Sequence, residues 1–290
     1  MSKLIVITGP TAVGKTSVAI EAAKTLRTEI ISCDSRQMYR EMRIGTAVPT
    51  EEELAAVPHH FIGNLSIRDY YNVSMFEQEC LQLLDQLFTK YPAVVMTGGS
   101  GLYIDALCKG IDDFPTVDAE IRRTVTGWHQ TGGIEYLRRQ LKILDPEHHT
   151  KVDLRNHKRI MKAIEVSLQT GKPYSSFLTA QERKRPFEIE KTVINRPREE
   201  LFDRINRRTT QMMEEGLLKE AEALYPYRHL NALNTVGYKE LFAYMDGAYD
   251  LETAVELIRR NTRRYAKRQL TWFARDKEMV WMQPEEFSFK

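Results

Sequence analysis

The chain opens on an unbroken apolar run, Leu4 to Ile7, as a strand buried on both faces requires. Residues Ser17 to Lys24 then take helical spacing. Glu29 to Asp34 is a short second strand that ends on a carboxylate, and Pro49 to Glu53 is a surface turn with an acidic helix start. His59 and His60 follow Pro58; if extended they point to opposite faces, so a shared metal is not expected. Ser74-Met-Phe-Glu77 fits a capping box opening a helix to about Lys90, with Phe76, Leu83, Leu84, Leu87 and Phe88 inward. Ala93 to Met96 is a third buried strand, followed by the glycine-rich turn Gly98 to Gly101.

After Pro115 the texture becomes helical and basic. Asp118 to Gln130, Ile134 to Leu144 and Leu154 to Gln169 have helical spacing, with breaks at Gly132-Gly133, Asp145-Pro146 and Gly171-Lys-Pro173. The pattern predicts a helical insertion over 115–185, with 1–114 and 186–290 forming the core. Phe187 to Asn195 alternates as a strand returning to the sheet. Glu199 to Leu224 reads as one helix carrying Arg204, Arg207 and Arg208, and Asn234 to Tyr238 as a turn before another. On the last helix, about Leu251 to Ala274, positions advance by about 100° per residue. Arg259, Arg260, Arg263, Arg264, Lys267 and Arg268 then share one half of the surface, while Ile258, Thr262, Tyr265, Ala266, Trp272 and Phe273 share the other. The expectation is a helix docked by its apolar half that shows a basic stripe.

Alternation of strands with helices, the first crossover following a phosphate loop, predicts an α/β fold: a kinase-like parallel sheet flanked by helices, with an inserted helical domain. Gly9 to Thr16 matches the phosphate-loop pattern G-x-x-x-x-G-K-[ST] in its strand–loop–helix context. Backbone N–H groups of Gly9, Pro10's neighbours, Thr11, Ala12, Val13 and Gly14 would wrap phosphate oxygens, aided by the helix N-terminus. Lys15 adds a full charge, and the Thr16 hydroxyl is placed to hold Mg²⁺. The third strand ends in Thr97-Gly98-Gly99 with no carboxylate, which disfavours an ATPase and favours a site that grips a polyphosphate.

With 290 residues, 42% of them apolar, the chain can bury a full core, and its net charge is only +2. The distribution says more. Pro115 to Arg185 has 14 Lys+Arg against 8 Asp+Glu, and Leu251 to Lys277 has eight against three, so two blocks point to a polyanion partner. Cys33, Cys80 and Cys108 form no paired spacing, so neither zinc nor a disulfide framework is implied. No leader and no membrane-length apolar run are visible, which leads us to expect a cytoplasmic protein with no membrane role.

These parts fit a small-molecule or nucleotide kinase that uses ATP, with Asp34 as base. They equally fit a group transferase acting on a nucleic acid, with pyrophosphate leaving from the loop. A bare nucleotide switch has no use for Asp34. The basic blocks favour the transferase.

Gly9-Pro-Thr-Ala-Val-Gly-Lys-Thr16, Asp34-Ser-Arg-Gln-Met-Tyr39, Gly98-Gly-Ser-Gly-Leu-Tyr103, Val236-Gly-Tyr238 and Tyr265-Ala-Lys-Arg-Gln-Leu-Thr-Trp272 occur in that order. Together, over nearly the whole chain, they resemble the tRNA isopentenyltransferase family. The resemblance implies transfer of dimethylallyl from dimethylallyl pyrophosphate to N6 of adenosine 37 of tRNA. Asp34 would be the base, with Thr11, Ser100 and Arg208 at the pyrophosphate and its bridging oxygen; relatives often have Thr in place of Ser100. It further implies base flipping, with Asp34, Ser35, Arg36, Gln37 and Ser100 at the flipped adenine. Arg122, Lys158, Arg159, Ile160, Met161 and Lys162, with Leu233, Asn234, Thr235, Val236, Gly237 and Tyr238, match segments that touch tRNA. Mg²⁺ is the implied cofactor, the anticodon stem-loop the implied partner, and a monomer the expected state.

Overall fold

The computed structural model describes residues 2–112, 114–179 and 182–287. They form two compact units, one up to residue 109 and from 184 onward, the other from 110 to 183.

The first unit is built on β1 (Lys3–Thr8), α1 (Lys15–Leu26), β2 (Ile30–Ser32), α2 (Glu51–Ala56), β3 (His59–His60), α3 (Val73–Leu87), β4 (Ala93–Gly98) and α4 (Gly101–Lys109). The second holds α5 (Ala119–Leu144), α6 (Pro146–Lys151) and α7 (His157–Thr170). The chain then returns as β5 (Glu188–Ile194), α8 (Arg198–Glu214), α9 (Leu217–Leu224), α10 (Tyr238–Met245), α11 (Leu251–Phe273) and β6 (Val280–Met282). The sheet runs β3-β2-β4-β1-β5-β6, and every pairing is parallel. Strands that follow β1 early in the chain lie on one side of it and β5 and β6 on the other. The carboxyl end of β1 is therefore where the order reverses and a crevice opens.

Burial follows the residue pattern. Leu4 to Ile7 and Val94 to Met96 are buried, since helices cover both sheet faces. One core holds Leu4, Val6, Phe76, Leu84 and Met96; the opposite face holds Ile5, Ile7, Ala19, Ala23, Val95 and Ile205. In the second unit Val125, Leu137 and Leu141 of α5 pack on Ile160, Ala163 and Ile164 of α7. The glycine breaks there are real: φ is +62° at Gly133, inside α5, and +67° at Gly171, which ends α7.

Three expectations are corrected. The cap of α3 is Asn72, which accepts from the N–H groups of Ser74 and Met75, and not the Ser74–Glu77 box. Glu77 instead turns inward and pairs with Arg185 Nη2 at 2.5 Å, both side chains less than a tenth exposed. The helix expected over 199–224 is two helices, because Gly216 adopts φ +105° between α8 and α9. The second strand stops at Ser32, two residues short of Asp34.

Arg185 also donates to the carbonyls of Ala106 and Leu107, so it ties β5's approach to α3 and α4. Losing one partner leaves a buried charge uncompensated. Glu77→Ala or Arg185→Ala should each destabilise the fold by about 3–5 kcal/mol, and the double apolar replacement Glu77→Leu/Arg185→Met should cost less than either. Urea unfolding of the three variants checks this; a double variant weaker than both singles contradicts it.

Candidate active site

β1 delivers Gly9 to Thr16 to the reversal point. Gly9 lies so close to the next strand that a Cβ there would sit 2.4 Å from the Ile194 carbonyl oxygen. Gly14 caps α1 at φ +100°, and Ala12 is left-handed at φ +66°. The carbonyls that this curl turns outward find donors: Arg204 Nε reaches Ala12 O at 2.8 Å and Arg196 Nε reaches Val13 O at 3.0 Å. Val13's side chain is fully buried, and its N–H points back to Pro10 O at 3.4 Å. Val13 is thus a loop-former here more than a phosphate ligand.

Lys15 Nζ lies 3.5 Å from Pro10 O. Burial pushes its ammonium down to about 8, with Asp34 opposing and Arg208 adding to the shift. Arg208 Nη1 lies 3.4 Å from Thr11 Oγ1. It shares a face of α8 with Arg204 one turn earlier, whereas Arg207 turns outward and pairs with Asp203.

Asp34 has divided duties. Its Oδ1 accepts from Arg36 N at 2.9 Å and Gln37 N at 3.4 Å, shaping the turn after β2. Its Oδ2 makes no hydrogen bond among the described residues. Ser100 Oγ accepts from Ser35 N at 3.0 Å and lies 3.1 Å from Ser35 Oγ, joining the second glycine turn to the Asp34 turn. Arg36 Nη1 donates to the carbonyls of Asn231 and Ala232, both at 3.1 Å. Gln37 Nε2 donates to Thr46 O and Ala47 O.

Of these groups, Thr11, Lys15, Asp34, Arg36, Gln37 and Arg208 border one crevice with two ends, whereas Ser100 is not among its lining residues. Lys15, Thr16, Ser32, Gln37, His59 and Thr97 line the polar end. Ile205, Met212, Leu217, Val236 and Ile258 line the apolar end. Thr11, Asp34, Thr46, Arg208 and Tyr265 line both. Burial and the nearby Asp34 charge push the Tyr265 phenol up, so its hydroxyl keeps its proton.

The donor set fits Mg²⁺ carried by a diphosphate. Among the described residues no cluster of three His, Cys, Asp or Glu could cage a metal. Thr16 offers a hydroxyl in the polar end. His59 Nδ1 donates to Val57 O at 2.7 Å, and burial pushes the ring's pKa down. Its Nε2 is a buried acceptor with no partner among the described residues, suited to an ion's hydration water. His60 points the other way and pairs with Glu29 at 2.6 Å.

The expected tRNA-facing residues divide. Lys158 and Arg159 are exposed, Arg122, Met161 and Lys162 are half-buried, and Ile160 is fully buried in its unit's core. Asn234 is exposed, and Thr235, Val236 and Gly237 line the apolar end of the crevice. Leu233 and Tyr238 are fully buried, and Tyr238 donates to Glu220 Oε1 at 2.6 Å. Ile160, Leu233 and Tyr238 are corrected from contacts to supports, because their side chains have no surface to offer. The basic stripe is also narrower than expected. Arg260, Arg264, Lys267 and Arg268 are exposed, but Arg263 donates to Asn206 Oδ1 and Arg259 to Thr210 Oγ1, both folding onto α8.

Arg196, Arg204, His59, Thr46 and Gln269 enter the site without having been singled out for it. Arg204 had a usable signal in its i,i+4 spacing from Arg208, and Gln269 one in its place inside the Tyr265–Trp272 motif. The others depend on tertiary placement.

A phosphate loop, a carboxylate with one unengaged oxygen and an adjoining apolar recess define a phosphate-loop group-transfer enzyme. Comparison with known proteins makes this specific. A family model described as IPP transferase matches residues 37–276. The tRNA dimethylallyltransferase 1 of Bacteroides thetaiotaomicron is 52% identical over 286 residues, covering 99% of this chain and 93% of its own length. The tRNA dimethylallyltransferase of Christiangramia forsetii is 51% identical over 285 residues, covering 98% and 94%. A solved tRNA isopentenylpyrophosphate transferase from Bacillus halodurans superposes with TM-score 0.71 at 35% identity, over 98% of this chain and 90% of that one. A eukaryotic dimethylallyltransferase solved while acting on tRNA gives TM-score 0.82 at 25% identity, over 98% and 74%. The chain belongs to the IPP transferase family.

Lys15 gives the site a pH signature. An anion binds best while the ammonium is charged, so deprotonation near 8 must weaken binding as pH rises. Affinity for inorganic pyrophosphate should fall on the order of tenfold from about pH 7 to about pH 9.5. Lys15→Arg, charged throughout, should show a shallower fall and controls for the ligand's own ionisation. Calorimetry giving parallel pH curves for the two proteins would remove Lys15 from the anion site.

Proposed function

We infer that this chain is a tRNA dimethylallyltransferase that moves dimethylallyl from its pyrophosphate to N6 of adenosine 37, releasing pyrophosphate. The observation that carries this reading is the seam of the crevice. Thr11, Asp34 and Arg208 border both a polar end suited to a diphosphate and an apolar end suited to a five-carbon chain and an adenine. The relatives named above match nearly end to end and carry the dimethylallyltransferase name, which leaves the kinase alternative without support.

An exocyclic adenine amine is a poor nucleophile because its lone pair is delocalised into the ring. Asp34 Oδ2, unengaged while Oδ1 is pinned, takes the N6 proton as N6 bonds to C1 of the dimethylallyl group. The C1–O bond breaks and its electron pair leaves on the pyrophosphate. Lys15, Arg208 and the loop N–H groups meet the growing charge. Thr11 and Ser100 offer hydroxyl donors at the bridging oxygen. Thr16 would hold Mg²⁺, with His59 Nε2 accepting from its hydration water, and the ion would supply further charge neutralisation at the leaving group. The flipped adenine meets Asp34 and the wall formed by Thr235 to Gly237. The exposed bases Arg260, Arg264, Lys267 and Arg268 hold the anticodon stem-loop through its phosphates, and Lys158 and Arg159, exposed on the helical unit, offer charges of the same kind to RNA phosphates. We place the enzyme in the cytoplasm as a monomer. Among the described residues no helix is long and apolar enough to cross a membrane.

Labelled dimethylallyl pyrophosphate and labelled ATP, each offered with bulk tRNA, decide the donor: label should reach tRNA only from the former. Asp34→Asn should keep tRNA affinity and slow single-turnover transfer by about 10²–10⁴-fold. A loss under about tenfold assigns the base elsewhere.

Binding to an anticodon stem-loop should weaken steeply with salt. Charge reversal at Arg260 and Arg264, or at Lys158 and Arg159, should each weaken binding and reduce the salt slope while sparing the rate at saturating tRNA. Titration at several salt concentrations with unchanged slopes in both variants would reduce these bases to solvated surface.

A further inference from the structure

Gln269 is a buried amide in the second half of α11, with 5% of its surface exposed. Both ends of its side chain are used. Oε1 accepts from Thr11 N at 2.9 Å, and Nε2 donates to Gly99 O at 2.9 Å. It thus spans from the phosphate loop to the second glycine-rich turn. A Cβ on Gly99 would sit 2.2 Å from Gln269 Nε2, so glycine is what lets the amide in. Three residues on, Trp272 fixes the same helix. Its Nε1 donates to Asp105 Oδ2 at 2.9 Å, and a Cβ on Gly101 would meet its ring at 2.3 Å. Helix α11 is therefore keyed twice into the turn that carries Ser100.

We propose that Gln269 is the positioning residue that sets the separation of Thr11 and Ser100, and so places their two hydroxyls on the bridging oxygen of the pyrophosphate. Thr11's own N–H is spent on Gln269, which leaves its hydroxyl, with Arg208 beside it, as the part offered to the substrate. Gly99 precedes Ser100, so fixing the Gly99 carbonyl fixes where Ser100 begins. Only an amide fits, because one end must accept an N–H and the other must donate to a carbonyl. The inference rests on the placing of pyrophosphate under Thr11 argued above.

The test is a double-mutant cycle on single-turnover transfer at saturating tRNA and donor. Gln269→Leu should slow transfer by about 10–100-fold, the scale expected when reacting groups are displaced by about 1 Å, with the stem-loop Kd within about twofold of parent. Thr11→Ala should cost at least about threefold less in the Gln269→Leu background than in the parent, because the strut acts through that hydroxyl. A residue that merely stabilises the fold would give equal costs in both backgrounds. Equal costs, or a Gln269→Leu rate within about twofold of parent, overturns the proposal. If Gln269→Leu does not fold, Gln269→Glu serves: it keeps the acceptor for Thr11, loses the donor to Gly99, and should show the same non-additivity with Ser100→Ala. If Thr11→Ala alone leaves the rate unchanged, the placing of pyrophosphate under Thr11 fails, and the strut is then decided by the Ser100→Ala cycle, where additivity overturns it.

Discussion

A loop that turns its amide hydrogens toward an anion must turn its carbonyl oxygens away from it, and those oxygens need donors of their own. In this chain the donors come from elements far along the sequence. Arg196, just after β5, serves Val13, and Arg204 on α8 serves Ala12. Gln269 on α11 takes the Thr11 N–H, the one loop amide seen to be held from outside. Gly9 permits the approach of β5 by lacking a side chain. The phosphate loop is written in residues 9–16, yet its shape is held by residues 194–269. The helical unit is inserted between, so the chain must return to the sheet before the loop can be finished.

The same construction concentrates charge. Lys15 and Arg208 meet at one end of a crevice that also holds Asp34, and burial weakens the ammonium. On the proposed reading, a diphosphate bound there would offset the charge that Lys15 and Arg208 bring together. The two oxygens of Asp34 are used differently: Oδ1 accepts from two backbone N–H groups, and Oδ2 has no hydrogen bond among the described residues. One carboxylate can thus shape its own loop and keep one oxygen unengaged, which is what the proposed role as base requires.

Much of this was legible in the residues. Leu4 to Thr16 reads directly as strand, loop and helix because each step has a local cause: a buried run, glycines at left-handed φ, and a helix start. Gly133 and Gly171 interrupt helices where expected for the same reason. The angular reading of α11 put Ile258 and Ala266 inside correctly, but exposed Arg259 and Arg263, which have long stems that fold back to bond Thr210 and Asn206. The Ser74–Glu77 box lost to Asn72 because Glu77 had a buried partner, Arg185, more than a hundred residues away. The roles of His59 and Arg196, and that of Gln269 despite its place in the Tyr265–Trp272 motif, were opaque for one shared reason. Their roles are bonds to backbone atoms or to open space in a cavity, and neither leaves a pattern along the chain.

The wall of the crevice is made of turns and short helices, which normally move more than strands. Here charge-assisted bonds restrain them. The Glu220 carboxylate accepts the N–H groups of Arg43, Ile44 and Gly45, at 2.9, 2.8 and 2.9 Å, and the Tyr238 hydroxyl besides. Gly45 has no room for a Cβ against the Tyr238 ring, so the loop lies directly on it. Arg36 binds the carbonyls of Asn231 and Ala232 from the other side. The Asp34 turn, the 43–45 loop and the 231–238 segment are consequently bonded to one another through side chains. Arg36 and Tyr238 fix that wall from inside, while Arg260, Arg264 and Arg268 of α11 stay exposed. The side chains that shape the crevice wall and the exposed bases of α11 are thereby different residues, and on the proposed reading each set can change without disturbing Asp34.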